Sequence, residues 1–317
     1  MSSCFRWFLA LGPTVPTAIK TLLGAVLFAG APAAWALSVF VCEPEWGALV
    51  KTIYPRAEVF SATSALQDPH YIEARPSLIA RLRSADIAVC TGAGLESSWL
   101  PILQARAGNP QVQDGETGMV YLAQAVTLID PIRGVVTPFS GDLHADGNPH
   151  FHLDPQRLLQ AGRVLRDRIA KVRPDESAQI LANFERFELE FSERIKRWER
   201  LAEPLRGKKV MTQHVSFGYL WAWLMIAPIA DLEPKPGMAP TPGHLERLRR
   251  EMAVTPVAAI VIARHHDRRP AEWLSRQAEG KGVPLVVLPA TVSVMSSSGI
   301  IEWFDGLIAT LLQQARQ

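Results

Sequence analysis

The chain has 317 residues, and its 33 Lys+Arg stand against 31 Asp+Glu for a formal net charge of +2. That length allows two domains and a sizeable core, and a charged fraction of one fifth is ordinary for a globular protein. The near-balanced charge offers no footing for a polyanion, so no nucleic-acid partner is expected.

The first 36 residues carry only Arg6 and Lys20 as charges, then the apolar run Thr21–Ala36 ending in Ala34-Trp35-Ala36. A run of about 15 residues is short of the ~20 that span a bilayer. The small-x-small ending marks a secretory leader, so residues 1–36 are expected to be a signal peptide cleaved after about Ala36, with the mature protein in the periplasm. The mature chain then holds 31 basic and 31 acidic groups. Cys4 leaves with the leader, and Cys42 and Cys90 remain. Both close short apolar runs, LSVFVC and ADIAVC. If those runs are neighbouring strands, a spacing of ~4.8 Å permits a disulfide; two buried thiols are the alternative.

From residue 37 onward, apolar runs alternate with helical segments. LSVFVC reads as a buried parallel strand, Trp46–Tyr54 as a helix, and Ala57–Ala62 as a second strand. The loop Thr63–Tyr71 carries Asp68-Pro69-His70. Pro76 opens a helix, ADIAVC is a third strand, and Thr91-Gly92-Ala93-Gly94 is a tight turn without the third glycine of a nucleotide fingerprint. Residues 108–148 are rich in Gly, Pro, Asp and Asn and form an elaborated edge. Asp154 caps a helix that runs from Pro155 to about Val172.

Between Pro174 and Glu203, Ile180, Phe184, Phe187, Phe191, Ile195 and Trp198 recur at three- and four-residue steps, which predicts one long amphipathic helix. A second alternating set follows: strand Lys208–Gln213, helix Phe217–Met225, strand Ala227–Leu232, and the rigid loop Glu233-Pro234-Lys235-Pro236-Gly237. It continues with helix 243–252, strand Val257–Ala263, helix 270–279, strand Val283–Leu288 and helix Ile300–Gln314. The expected fold is α/β: two lobes, each a parallel sheet flanked by helices, joined by one long rigid helix. The divisions are 37–173 for the first lobe, 174–204 for the linking helix and 205–317 for the second lobe.

Ligands of open parallel sheets bind beyond the carboxyl ends of the strands. His70, His150, His214, His265 and His266 all lie in or just after strand-exit loops, and the segment Gly141–Pro155 adds His144 and His152. Loop imidazoles placed in this way point to a transition metal, with zinc preferred to manganese because nitrogen donors suit the softer ion.

The motif Asp68-Pro69-His70-Tyr71-Ile72-Glu73, followed by Ala85–Val89 and Gly92-Ala93-Gly94-Leu95-Glu96, resembles the metal-binding receptors of bacterial ABC importers for zinc and manganese. Asn148–Pro155 resembles that family's second histidine motif, and Gln213–Tyr219 the third. Glu233–Gly237 with His244-Leu245 resembles its zinc branch. The resemblance covers the whole mature chain. It implies His70, His150 and His214 as metal ligands in a cleft between the lobes.

The family often supplies a carboxylate from the last strand-exit loop. Here that loop reads Val287-Leu288-Pro289-Ala290, so the fourth donor is open. His265 is our working choice, with His266, Asp267, Glu233 or water as alternatives and His144 and His152 as auxiliary groups. Glu73 and Asp154 are candidates to orient ligand rings. The implied protein is a monomeric receptor, not an enzyme, that carries Zn2+ to an importer permease. Alternatives are a manganese or iron receptor, a periplasmic metallochaperone, or a zinc hydrolase; the last lacks an HExxH motif.

Overall fold

The computed structural model describes residues 36–132, 141–277 and 282–315. The expected leader and its cleavage site lie essentially outside these residues. The first sheet has the order β2 (Glu58–Ser61), β1 (Ser38–Val41), β3 (Ile87–Cys90), β4 (Met119–Tyr121), all parallel. The second repeats that order with β6 (Ala227–Asp231), β5 (Lys209–Thr212), β7 (Ala259–Ala263), β8 (Leu285–Leu288). The helices between strands are α1 (Pro44–Ile53), α2 (Pro76–Arg83) and α3 (Leu100–Ala107) in the first set. In the second they are α6 (Gly218–Leu224), α7 (Pro242–Val254) and α8 (Arg269–Arg276).

The four residues of β3 and the five of β7 are entirely buried, as unbroken apolar strands covered on both faces should be. β1 and β3 are neighbours, and Cys42 and Cys90 at their ends form a disulfide with Cα atoms 4.8 Å apart.

Helix α4 (Pro155–Val172) starts where Asp154 accepts hydrogen bonds from the N–H groups of Gln156 and Arg157. The long helix α5 (Ser177–Ala202) has 26 residues and is continued by short 3-10 turns at 174–176 and 203–205. Its six apolar side chains named above are all buried. They belong to one core that also takes in β1, α1, α4, β7 and the last helix, α9 (Gly299–Ala315).

Helix α9 follows the second sheet in sequence, yet it packs on α1 of the first lobe as well as on α5. Phe304 stacks on Trp198 at 5.1 Å between centroids and meets Phe191 edge-on at 5.6 Å. Asp305 accepts from the Trp198 indole N–H at 2.8 Å. The lobes therefore share a continuous core.

Candidate metal centre

Six of the eight histidines line one small cavity where the exit loops of the two sheets meet: His70, His150, His152, His214, His265 and His266. Its volume is about 30 Å3, room for an ion and little else. A wider groove of about 520 Å3, lined by Gly92, Ser97, Tyr121 and Gln124, lies beside it but contains no imidazole, so the small cavity is the chemically informative one.

His70 follows β2. Asp68 turns the chain there, its Oδ1 accepting from the backbone N–H of His70 at 3.0 Å and from the ring Nδ1–H at 2.7 Å. The Pro69 carbonyl accepts from the Trp99 indole at 2.9 Å, and Ser98 donates to the His70 carbonyl at 2.5 Å, so both flanks of the ring are anchored. Burial works against ionisation of Asp68, but the bond to and charge of His70 outweigh it and hold the carboxyl well below its usual range.

His150 follows the β4 edge. Asn148 Oδ1 accepts its backbone N–H at 3.0 Å, while Asn148 Nδ2 donates to the Val215 carbonyl at 2.9 Å, in the second lobe. Tyr219 of α6 donates to the Asn148 carbonyl at 2.7 Å, tying the same loop across. Burial, then the neighbouring His70 and His214, push His150 well below the ordinary imidazole value, which keeps it neutral.

His214 leaves β5 in extended conformation, and its Nδ1–H donates to Glu233 Oε2 at 2.7 Å. Burial lowers its pKa, but the bond to and charge of Glu233 prevail and raise it.

These three rings offer ligand nitrogens that all lie within 4.8 Å of one another. The rings are set nearly edge-on, with centroids 5.5 to 6.0 Å apart. In His70 and His214 the carboxylate accepts a hydrogen bond from Nδ1–H, so Nε2 keeps a lone pair; such carboxylates fix the tautomer and raise ligand basicity. Those orienting groups are Asp68 and Glu233; of the two sequence candidates for that role, neither touches a ligand ring, and Asp154 is the helix cap that the sequence also indicates. Glu73 is exposed, and Asp154 is committed to capping α4 and to Arg157. Asp68 was legible as an Asp two residues before a histidine, an arrangement that folds back as an Asx turn.

The other candidates occupy distinct positions. His265 lines the cavity with its ring against His266 at 4.4 Å, and it does not join the mutual set of nitrogens. His266 Nδ1 accepts from the Ala263 N–H at 3.2 Å, so in the neutral ring Nε2 carries the proton and no lone pair remains. Burial and His265 push it down to about 3. Asp267 points to solvent, paired with Arg269 at the start of α8. Glu233 Oε2 is taken by His214 and by the Gly237 N–H at 2.8 Å.

His152 donates from Nε2 to the Ala290 carbonyl at 3.0 Å and stacks on Trp303, which makes it a tie between lobes. Its Nδ1 lies 3.4 Å from Glu45 but out of hydrogen-bonding geometry. His144 Nε2 faces His70 Nε2 at 3.1 Å; burial and His70 push its pKa down to about 4.

Sequence reasoning missed a buried acidic floor. Glu43 and Glu45 follow β1, and Glu96 closes the glycine turn by accepting from Thr91 N–H at 2.7 Å and Gly92 N–H at 3.0 Å. Burial lifts Glu96 to about 7, and burial with the Glu96 and Glu45 charges lifts Glu43 well above its usual value. Three acids beside helix starts and turns carry no sequence sign of burial.

A family model described as zinc-uptake complex component A, periplasmic (ZnuA), matches residues 39–313. The high-affinity zinc uptake system protein ZnuA of Yersinia pestis is 23% identical over 270 residues, covering 78% of this chain and 79% of that protein. Among solved structures, a crystal structure of ZnuA aligns at a TM-score of 0.70 and 20% identity, over 89% of this chain and 98% of that one. The substrate-binding protein FpvC of Pseudomonas aeruginosa, in complex with Mn2+, aligns at 0.69 and 17% over 89% and 98%. At these identities the structural likenesses speak for the fold. With the family model spanning nearly all of the described residues, the chain belongs to the periplasmic zinc-uptake component A family, the metal-binding receptors of ABC importers.

Proposed function

We propose that this protein is an exported zinc receptor that takes Zn2+ between His70, His150 and His214 and delivers it to the permease of an ABC importer. The observation that carries this is the convergence of three neutral-capable imidazoles, two from one lobe and one from the other, with ligand nitrogens within 4.8 Å of one another. Each arrives on a strand-exit loop, and two have their tautomer set by a carboxylate.

The solved relatives include one in complex with Mn2+, so the fold leaves the metal open. The donor set favours zinc: neutral imidazoles suit it, whereas manganese favours carboxylate oxygen. Asp68 and Glu233 supply two negative charges on the far side of the His70 and His214 rings, which offset the charge of the ion without replacing nitrogen in its shell.

The shared core of α1, α5 and α9 supports a small closure around the metal, since repacking it would break contacts such as Phe304 on Trp198. The protein acts as a monomer and does no chemistry on its cargo. Cleavage after about Ala36 is part of this proposal, and N-terminal sequencing of the exported protein checks it.

Competition titration of the apoprotein tests the metal. One equivalent of zinc should bind at least a hundred-fold more tightly than manganese, following the donor preference. Equal or stronger manganese binding would reject the zinc assignment.

A further inference from the structure

We propose that Cys42, Cys90 and Glu96 form a second metal site, closed by the disulfide and opened by its reduction, that takes a soft divalent ion such as Zn2+ or Cd2+. The site uses none of the three cargo histidines and stands or falls without them. Cys42 directly follows β1 and Cys90 ends β3, the neighbouring strand, with Cα atoms 4.8 Å apart. A Glu96 carboxylate oxygen and the two sulfurs all lie within 4.8 Å of one another, and all three residues are buried.

The oxidation state of sulfur decides what this cluster can hold. The thiolate is the metal ligand, and a disulfide has none to offer. Reduction by a dithiol breaks the Cys42–Cys90 bond. The dithiol closes into its own disulfide, and its two protons pass to the freed cysteines. A divalent ion then displaces both thiol protons. Thiolates select the softer ions, and a carboxylate oxygen beside them is a normal zinc donor.

The strands already hold the cysteines at a suitable separation. Zinc–sulfur bonds of about 2.3 Å in a tetrahedron set two sulfurs about 3.8 Å apart. Side chains on Cα atoms 4.8 Å apart reach that spacing by rotating about their Cα–Cβ bonds.

The turn after β3 suits a cation in two ways. Glu96 closes it by accepting from the Thr91 and Gly92 N–H groups at 2.7 and 3.0 Å, which fixes the carboxylate beside the sulfurs. Glu43, next to Cys42, accepts from the Thr91 hydroxyl at 2.9 Å through Oε2, while its buried Oε1 meets no donor among the described residues. In the oxidised protein burial favours the protonated forms of both acids, so a proton between them balances the pair. In the reduced protein a divalent ion supplies that positive charge and satisfies the thiolates as well.

An entry path reaches the site. The groove of about 520 Å3 beside the histidine cavity is lined by Gly92, Gly94, Ser97 and Tyr121, and Glu96 is part of its wall. The sulfurs are fully buried within 4.8 Å of that carboxylate, so an ion in the groove reaches them by way of Glu96. The groove also admits water for the fourth position of a tetrahedral ion.

The experiment uses the full chain with Cys4→Ser, which leaves Cys42 and Cys90 as its only cysteines. One portion is reduced with a water-soluble phosphine, which departs as its oxide with the oxygen of one water, and is desalted without air. Cd2+ is the probe, and bound ions are counted in both portions. Reduction should add one ion, together with sulfur-to-cadmium charge-transfer absorption. Cys42→Ser/Cys90→Ser should show neither after the same treatment. Glu96→Gln keeps both thiols and should bind the added ion at least ten-fold more weakly, since even an orienting partner is worth about 10–100-fold.

No ion gained on reduction, an added ion without the sulfur band, or the same gain in the double-serine variant overturns the proposal. An unchanged affinity for the added ion in Glu96→Gln overturns it too. Circular dichroism controls for unfolding: reduced protein with Cd2+ should give the native spectrum, and one that stays unfolded with Cd2+ also refutes the site. The count in the oxidised portion tests the three-histidine reading separately. A count of zero there removes that reading, while the gain on reduction still decides this one.

Discussion

Replacing Glu233 by Gln probes how the protein tunes its own ligand. Glu233 is mostly buried, and its Oε2 accepts from His214 Nδ1–H at 2.7 Å and from the Gly237 N–H at 2.8 Å. Gln keeps the shape and can still accept one of these bonds, but the charge is gone. Such partners are worth 10–100-fold in metal affinity, about 1.4–2.8 kcal/mol.

The sign of the pH dependence follows from His214. Its pKa is raised by Glu233 against the opposing effect of burial, whereas His150 is held well below the ordinary value. As pH falls, His214 therefore protonates before His150, and zinc must displace that proton. Affinity in the wild type should drop by about ten-fold per pH unit once pH is below the raised value. Without the Glu233 charge, burial dominates and His214 stays neutral to lower pH. The variant should therefore lose 10–100-fold near pH 8 and progressively less toward pH 5.5. Chelator competition across that range is the assay. A loss that is constant with pH, or no loss at all, would refute the charge argument.

Four further outcomes follow from the same structure. The disulfide Cys42–Cys90 closes a loop of sequence separation 48. The Cys42→Ala/Cys90→Ala double variant should thus lose about 4 kcal/mol of stability in denaturant titrations of the metal-free protein. Phe191→Ala removes a fully buried ring that meets both Trp198 and Phe304 edge-on and should cost about 3–5 kcal/mol in the same assay, with little change in zinc affinity.

Glu96 has its folded value raised to about 7 from 4.5. Between those values the native state binds protons that the unfolded chain does not, so its contribution is full below pH 4.5 and is lost as pH rises through about 7. Glu96→Gln should remove that segment from a stability–pH profile, and a profile of unchanged slope between pH 5 and 7 would count against it. Solution scattering should show little compaction on adding zinc; a change in radius of gyration of several ångströms would contradict the shared core.

Much of the fold is written in local patterns. The apolar steps from Ile180 to Trp198 lie on one helical face and become the spine of the common core. LSVFVC and ADIAVC are unbroken because both faces of a parallel strand are covered, and their cysteines meet because β1 and β3 are adjacent. His70 and His214 are legible for a related reason, since both lie on loops that leave strands, while His150 is legible from the Asn148–Pro155 motif just before α4.

What stays hidden is non-local. Nothing near Ser298 announces that α9 returns to pack on α1, because that depends on the relative placement of two sheets. The contact of Gly141 with Pro236 joins segments 95 residues apart through backbone atoms that carry no side-chain signature. The burial of Glu43, Glu45 and Glu96 comes from the packing of the turns that follow β1 and β3, each polar when read alone. His144 could be recognised in sequence as an extra imidazole, but its 3.1 Å approach to His70 depends on the fold.

The claim that imidazoles from both lobes hold the metal is tested most directly by X-ray absorption on the zinc-loaded protein. The account predicts a first shell of nitrogen at about 2.0–2.1 Å containing at least three imidazoles. A shell dominated by oxygen, a sulfur neighbour at about 2.3 Å, or fewer than three imidazoles would contradict it.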